Sequence, residues 1–190
     1  MEKIDKKRVF GICTVLATIG FSILLISTPT DALINYIGTD NVYIFMYTIA
    51  FVGSISTFAS IPYPLILIGL VAGGMNPFLM GLVSALGVVT ADSLTFFVAR
   101  SGRILLSERF KSSLSALSHR LKKHPHLLTP GLIIYGTLSP LSNDFAVISL
   151  SFMEYAYHRV IPPLAFGNIL YNIGVAYLGL YAYNWITAIV

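Results

Sequence analysis

Positive charge is confined to three short regions of this chain, and this confinement limits the folds that it can adopt. Of its 12 Lys and Arg residues, four precede residue 9, seven lie between Arg100 and Lys123, and the last is Arg159. The stretches between these regions are apolar: the 190-residue chain is 56% hydrophobic and 11% charged, whereas soluble domains average about 25% charged residues. The sequence therefore predicts a membrane protein with its basic regions on the cytoplasmic side.

The first apolar run, residues 9–27, follows the basic amino terminus. It has no persuasive small-residue cleavage site, so we interpret it as an uncleaved transmembrane helix. The segment after Arg159 carries no charged side chain at all. We therefore expect a multi-pass protein of the plasma membrane, with its amino terminus in the cytoplasm and its carboxyl terminus outside.

The number of crossings must also return Arg100 to the cytoplasm. The apolar stretch before it is too long for one helix of about 20 residues, but two full crossings would place Arg100 outside. Arg100 returns to the cytoplasmic side if residues 42–74 enter and leave the membrane by the same face, as a re-entrant hairpin that turns at Pro62 and Pro64. A single crossing at 77–99 then follows. Broken helices of this kind commonly line the substrate path of transporters, so both prolines are candidates for such a transport pathway.

The second half of the chain repeats this pattern. Residues 127–153 begin and end near cytoplasmic charge and break around Pro140, which predicts a second hairpin, followed by a crossing at 160–189. The predicted fold is a single-domain, all-α polytopic membrane protein: an inverted repeat of re-entrant hairpin plus transmembrane helix, with an extra amino-terminal transmembrane helix. The alternative is that both breaks are ordinary surface loops between short buried helices.

Two motifs in these segments resemble a known family. The pattern Asp-x-x-x-aromatic-x-x-(Gly/Ala)-Arg in "GVVTADSLTFFVARSGR" and a later aromatic, basic and Asn pattern are met by Asp92, Phe96, Ala99, Arg100, Tyr157, Arg159 and Asn168. With "IPYPLILIGLVAGG" and "LSPLSNDFAVISLSFMEYAYHRVIPPLAFGNILYNIGVAYLG", they resemble the DedA, or VTT-domain, family over about residues 42–180. The resemblance implies two opposed re-entrant hairpins and the movement of lipids across the bilayer, including polyprenyl-phosphate carriers and phospholipids.

The chain departs from that family at both hairpin turns. Apolar residues such as Leu65 and Ile66 stand where bacterial members carry acids, and Thr137 and Asn143 stand where members carry two arginines beside a proline. These differences place the chain nearest to a divergent branch of the family.

Asp144 is the first candidate for a site residue. An ionised carboxylate is costly against hydrocarbon, so Asp144 and Asn143 are predicted to line the transport pathway, with Pro140 and Thr137 at the turn before them. The alternative is that Ser142, Asn143 or Asp144 caps the second half-helix, and the two roles are compatible.

A second set of candidates follows the predicted crossings. Asp92 and Arg100 are expected to extend the cytoplasmic half of the path, and Arg159, Asn168 and Asn172 to contribute from the last helix. A hydrogen bond that holds Asp92 to a neighbouring helix is the alternative for this residue. Interhelical hydrogen bonding explains the two asparagines equally well.

The basic segment 104–123, within a cytoplasmic loop at 100–126, has apolar residues at helical spacing among Lys, Arg and Ser. This pattern predicts an amphipathic helix that lies on the anionic cytoplasmic leaflet; a solvated connector is the alternative. His124 and His126 are too close for a metal claim and indicate a turn. The net charge of +4 follows from this topology and does not predict nucleic-acid binding.

The function expected from these features is transport of an amphiphilic, phosphate-bearing lipid across the membrane. The sequence contains no glycine-rich phosphate loop, nucleophile elbow or His-Glu zinc motif, so we expect no enzyme activity, cofactor or metal. An ion-coupled transporter of a small solute and a non-transporting membrane scaffold stay open as alternatives, and so does a homo-oligomeric state.

Overall fold

The computed structural model describes residues 38–55, 63–102, 125–139 and 142–187. These residues form six helices and no strand: α1 (Thr39–Ile55), α2 (Tyr63–Ala72), α3 (Pro77–Gly102), α4 (Pro125–Leu138), α5 (Asn143–Phe152) and α6 (Tyr157–Thr187). The all-α prediction is confirmed for this part of the chain. The predicted helix at 9–27 and the basic segment 104–123 lie outside the described residues.

The two segments predicted as hairpins each hold two helices. Residues 42–74 contain most of α1 and all of α2, and residues 127–153 contain most of α4 and all of α5; the residues between α1 and α2 lie outside the described ranges. The last helix begins at Tyr157, earlier than the predicted residue 160, with Pro162 and Pro163 inside it. The carbonyls that these prolines leave without a helical donor belong to exposed residues of the first turn, where solvent or a head group can satisfy them.

Two of the described helices are long and apolar enough to cross a membrane. They are Pro77–Gly102, with a mean hydropathy of 1.8, and the Tyr157–Ala182 part of α6, with a mean hydropathy of 1.3. Large apolar side chains also cover the outside of the bundle, and Ile44, Phe97 and Leu178 are 67%, 56% and 71% exposed. Both observations favour membrane association.

The helices occur in the order short, short, long, and this order occurs twice. We call α1–α3 the first unit and α4–α6 the second unit. The same type of turn precedes both long helices: the N–H of Met75 bonds back into the last turn of α2 at 3.2 Å, and that of Tyr155 into α5 at 3.1 Å. Gly74 and Glu154 occupy the left-handed position of these turns, with φ of 94° and 63°. The number of residues from Gly74 to Glu154 equals the number from the first residue of α3 to the first residue of α6.

The packing of the helices follows the same duplication. In each unit the first short helix packs on the long helix of its own unit, α1 on α3 and α4 on α6. The second short helix packs chiefly on the long helix of the other unit, α2 on α6 and α5 on α3. The long helices are antiparallel, because Gly81 near the start of α3 faces Ile173 in α6, whereas Phe97 near the end of α3 stacks on Tyr157 at the start of α6.

A glycine lets the backbones approach closely in both units. A Cβ atom added to Gly87 of α3 would lie 2.5 Å from the Tyr47 carbonyl oxygen of α1. One added to Gly167 of α6 would lie 2.6 Å from the Ile133 carbonyl oxygen of α4. Only a residue without Cβ fits at these two places, which fixes how each first short helix crosses its long helix.

Candidate functional site

The carboxylate of Asp92, in the middle of α3, is buried inside the bundle. The residue is 2% exposed, and its Oδ2 accepts hydrogen bonds from Asn168 Nδ2 of α6 at 3.0 Å and from Asn143 Nδ2 of α5 at 3.2 Å. Asn143 Nδ2 also donates to Asn168 Oδ1 at 2.8 Å. Three helices from both units therefore meet at one carboxylate.

Two further residues extend this contact along the long helices. Asn172, 1% exposed, donates through Nδ2 to the Asn168 carbonyl at 2.8 Å and accepts from the hydroxyl of Ser84 at 2.9 Å. We call Ser84, Asp92, Asn143, Asn168 and Asn172 together the polar cluster. It lies where α3 and α6 face each other, so it joins the two units by hydrogen bonds.

The two units contribute to this region from equivalent positions. Asn143 is the first residue of α5 and bonds to Asp92, while Tyr63 is the first residue of α2 and lies within hydrogen-bonding reach of Asn172. The interval from Tyr63 to Asn143 is the same as that from Asp92 to Asn172. The amino ends of both second short helices therefore lie beside the polar residues of the opposite unit.

Asp144 is buried next to the polar cluster, with 5% of its surface exposed. The Ser142 hydroxyl caps α5 by accepting from the Asp144 backbone N–H at 3.3 Å, so the capping alternative is confirmed for Ser142. The Tyr135 hydroxyl of α4 donates to the Ser142 carbonyl at 2.8 Å and further anchors this end. The carboxyl groups of Asp144 and Asp92 are close enough to interact electrostatically.

Arg100 lies away from this pair of acids. It follows Asp92 by two helical turns, about 12 Å along α3. Its guanidinium donates to the backbone carbonyls of Ser151 at 3.1 Å and Tyr155 at 3.3 Å. The hydrogen bonds to Asp92 from the described residues come from neutral amides. Burying a carboxyl group is costly, and these hydrogen bonds offset part of that cost.

The remaining predicted site residues lie elsewhere or outside the described ranges. Thr137 donates to the Ile133 carbonyl at 2.8 Å and to the Gly167 carbonyl at 3.4 Å, so it belongs to the contact between α4 and α6. Pro64 lies in the first turn of α2, where proline is tolerated, and Arg159 is exposed at the start of α6. Pro62 and Pro140 lie outside the described residues.

Sequence reasoning did not identify Ser84 and Ser151. Ser84 precedes Asp92 by about two turns, so helical spacing alone could have placed it on the same face of α3. Ser151, fully buried, donates to the Phe96 carbonyl at 2.8 Å; this contact joins α5 to α3 and has no signal in the sequence.

Within the part of the chain that the structure describes, no three His, Cys, Asp or Glu residues lie together as a metal site would require. Comparison with protein-family models, with curated proteins and with solved structures found no match for this chain. The resemblance to the DedA family therefore stays a prediction from the motifs quoted above.

Proposed function

We propose that this chain is a membrane protein of two inverted units that moves an amphiphilic lipid across the bilayer, and that the lipid head group passes the polar cluster. The observation that carries the proposal is the buried carboxylate of Asp92, held by amides of Asn143 and Asn168 where the two long apolar helices face each other. Such a group is costly in a membrane segment, so its presence there supports a functional role.

The helix lengths and directions support the inverted arrangement. A ten-residue helix such as α2 or α5 rises about 15 Å, half of a hydrocarbon core of about 30 Å. A helix of this length reaches only to mid-depth, where a chain break is tolerated if protein or a polar path surrounds it. The antiparallel course of α3 and α6 and the exchanged packing of α2 and α5 are what two oppositely inserted units would produce.

The chemistry of the site supports a lipid with both phosphate and a hydrogen-bond donor. The amino end of α5 carries the partial positive charge of the helix dipole, which favours an anion such as the phosphate-bearing head group expected from the sequence. Asp92 and Asp144 favour a donor or an ammonium group instead. A zwitterionic aminophospholipid presents both, while its acyl chains can remain against the apolar outside of the bundle.

Reconstitution of the full chain into liposomes tests this function. Phosphatidylethanolamine and phosphatidylcholine labelled on an acyl chain, and a labelled polyprenyl phosphate, would be followed for loss of the outer-leaflet pool against protein-free liposomes. We expect flux of at least one of these lipids, fastest for phosphatidylethanolamine. Liposomes that hold folded protein and show no flux of any of the three would contradict the proposal.

An ion-coupled transporter of a small solute is the second candidate, favoured by the near-complete burial of Asp92 and Asn172. It predicts uptake of a solute into the same liposomes without lipid flux. A membrane scaffold predicts neither, and then variants of Asp92 would change only stability.

The inverted arrangement has a separate test. Phe78 near the start of α3 and His158 near the start of α6 are both exposed and occupy equivalent positions in the two units. In a cysteine-free background in which Cys13 is replaced, Phe78→Cys and His158→Cys should react with an impermeant thiol reagent from opposite sides of the membrane. Reaction of both from one side would contradict inverted units.

A further inference from the structure

Arg100 and Ser151 make reciprocal contacts between the end of α3 and the end of α5. The Ser151 hydroxyl donates to the Phe96 carbonyl at 2.8 Å, and the Arg100 guanidinium donates to the Ser151 carbonyl at 3.1 Å. A second bond from Arg100 reaches the Tyr155 carbonyl at 3.3 Å, in the turn after α5. The Ser151 carbonyl also accepts from the Glu154 backbone N–H at 3.0 Å, and the charged guanidinium adds a stronger hydrogen bond to it. We call these contacts the Arg100–Ser151 clamp.

The clamp uses the charge of Arg100 on backbone atoms alone. Both of its acceptors are carbonyl oxygens at the carboxyl end of α5, where a cation is also favoured by the helix dipole. The guanidinium therefore acts on the position of α5, rather than on a group that a substrate would meet in the polar cluster.

The amino end of α5 is held differently. Its Asn143 amide donates to side-chain oxygens of Asp92 and Asn168, and the Tyr135 hydroxyl of α4 donates to the carbonyl of Ser142, just before the helix. An incoming head group that carries N–H or O–H donors can replace these bonds on Asp92, because one hydrogen bond is exchanged for another of similar strength. The backbone contacts of the clamp lie at the other end of the helix and are not in competition with such a ligand.

The equivalent helix of the first unit has no contact of this kind among the described residues. Val71 occupies in α2 the position that Ser151 occupies in α5, and it is buried in the apolar core with 1% of its surface exposed. A valine side chain cannot donate to a neighbouring carbonyl, so the end of α2 is fixed by packing instead.

We infer that Arg100 is a positioning residue: the Arg100–Ser151 clamp makes the carboxyl end of α5 a hinge, about which the amino end and Asn143 move away from Asp92 when the site opens. The inference rests on the proposed function, because a hinge has a purpose only in a site that opens. Its test is a measurement of structure, so that the two can fail separately.

Distances between pairs of spin labels measure the two ends of α5 independently. In the full chain with Cys13 replaced, one label at exposed Leu178 of α6 is the common reference, and the second is at exposed Phe145 or at exposed Ser149. Pulsed electron–electron double resonance in lipid nanodiscs gives the distance distribution of each pair. We expect the pair with Phe145, near the amino end, to have the broader distribution.

Single substitutions should then change the distance distribution at one end of α5 without changing the other. Arg100→Ala should broaden the Ser149 distribution to at least the width of the Phe145 distribution, and Arg100→Lys should restore part of the difference, because lysine can still reach one carbonyl. Arg159→Ala, which removes an exposed arginine near the same turn, should leave the Ser149 distribution unchanged. Asp92→Asn should broaden only the Phe145 distribution.

An unchanged Ser149 distribution in Arg100→Ala, or equal broadening of both pairs, would overturn the hinge. If Arg100→Ala does not yield monodisperse protein, Arg100→Met takes its place with the same expected and contradicting results, because methionine keeps the apolar stem but has no donor for the two carbonyls. The predicted broadening in a protein that moves no lipid would keep the hinge and refute the proposed function. Lipid flux by the wild-type protein, together with an unchanged Ser149 distribution in Arg100→Ala, would refute the hinge and keep the proposed function.

Discussion

The second short helices of the two units, α2 and α5, have the same length and position but are held by different forces. Helix α2 is held mainly by four aliphatic side chains in an apolar core, although its first residue, Tyr63, lies near Asn172; the four are Ile66, Leu67, Leu70 and Val71. Helix α5 buries Val147 and Leu150 and also bonds through Asn143 at its amino end and Ser151 at its carboxyl end.

This difference indicates which half of the molecule can respond to a ligand. Apolar burial is lost whenever a helix leaves its core, and a polar head group offers nothing in exchange. Hydrogen bonds can pass from one partner to another at little net cost. We therefore interpret α2 as the fixed helix of the pair and α5 as the one that moves, and the following substitutions test that contrast.

The largest effect is expected at the two equivalent core positions, Leu67 of α2 and Val147 of α5, both fully buried. Leu67→Ala should lower the free energy of unfolding by about 2–5 kcal/mol, because it removes apolar contacts and leaves a cavity. Val147→Ala should cost less, since fewer methyl groups are lost. Reversible unfolding in detergent mixtures measures both, with exposed Leu178→Ala as the control. A Leu67→Ala variant as stable as the control would contradict the assignment of α2 as the fixed helix.

The close helix crossings should respond alike in both units. Gly87→Ala and Gly167→Ala each place a Cβ atom against an opposing backbone carbonyl, so each should cost about 1–3 kcal/mol by overpacking. Gly131→Ala in α4 is the matched control, because its added Cβ meets no atom within 4 Å. Thermal unfolding in detergent gives the comparison. A cost at only one of the two crossings would show that the units are not packed equivalently.

The polar ends should differ in transport. Asn143→Ala removes both amide bonds at the start of α5 and should lower the initial rate of lipid flux about tenfold, equivalent to about 1.4 kcal/mol. Tyr63→Phe, at the equivalent position of α2, should change the rate much less. The flux assay in liposomes measures both variants at matched protein content. A larger loss in Tyr63→Phe would reverse the roles given to α2 and α5.

The smallest effect is expected in the two turns, and with opposite signs. Gly74→Ala should cost about 1 kcal/mol, because alanine is strained at a φ of 94° although no atom obstructs its Cβ. Glu154→Gly should relieve strain at a φ of 63° and raise stability by less, since glycine also gains freedom in the unfolded chain. Melting temperatures of the two variants test this; a shift in the same direction for both would contradict it.

Part of the helix pattern was predictable from local sequence, but the partners of the helices were not. Pro140 indicated the interruption between α4 and α5, and Ser142 before Asn143 and Asp144 indicated a capped helix start, whereas the interruption predicted around Pro62 falls on residues outside the described ranges. These signals act within a few residues of the feature that they determine.

The site depends instead on contacts between distant residues. Asn143 meets Asp92 only because α5 packs on the long helix of the other unit, which no periodicity within either segment specifies. The same holds for Arg100, which was predicted to extend the pathway but contacts the backbone of Ser151 and Tyr155. Helical spacing gave the face of each helix, whereas tertiary packing decided what that face meets.

The most direct test of the central claim is lipid flux in liposomes with Asp92→Asn and Asp144→Asn. The controls are wild type and Ser101→Ala, an exposed position outside the polar cluster whose hydroxyl donates to the Phe97 carbonyl of its own helix. We predict that Asp92→Asn stays folded and that its rate of lipid flux falls about tenfold or more below wild type. The rate should fall less in Asp144→Asn and should equal that of wild type in Ser101→Ala. Wild-type flux in a folded Asp92→Asn variant would contradict a pathway through the polar cluster.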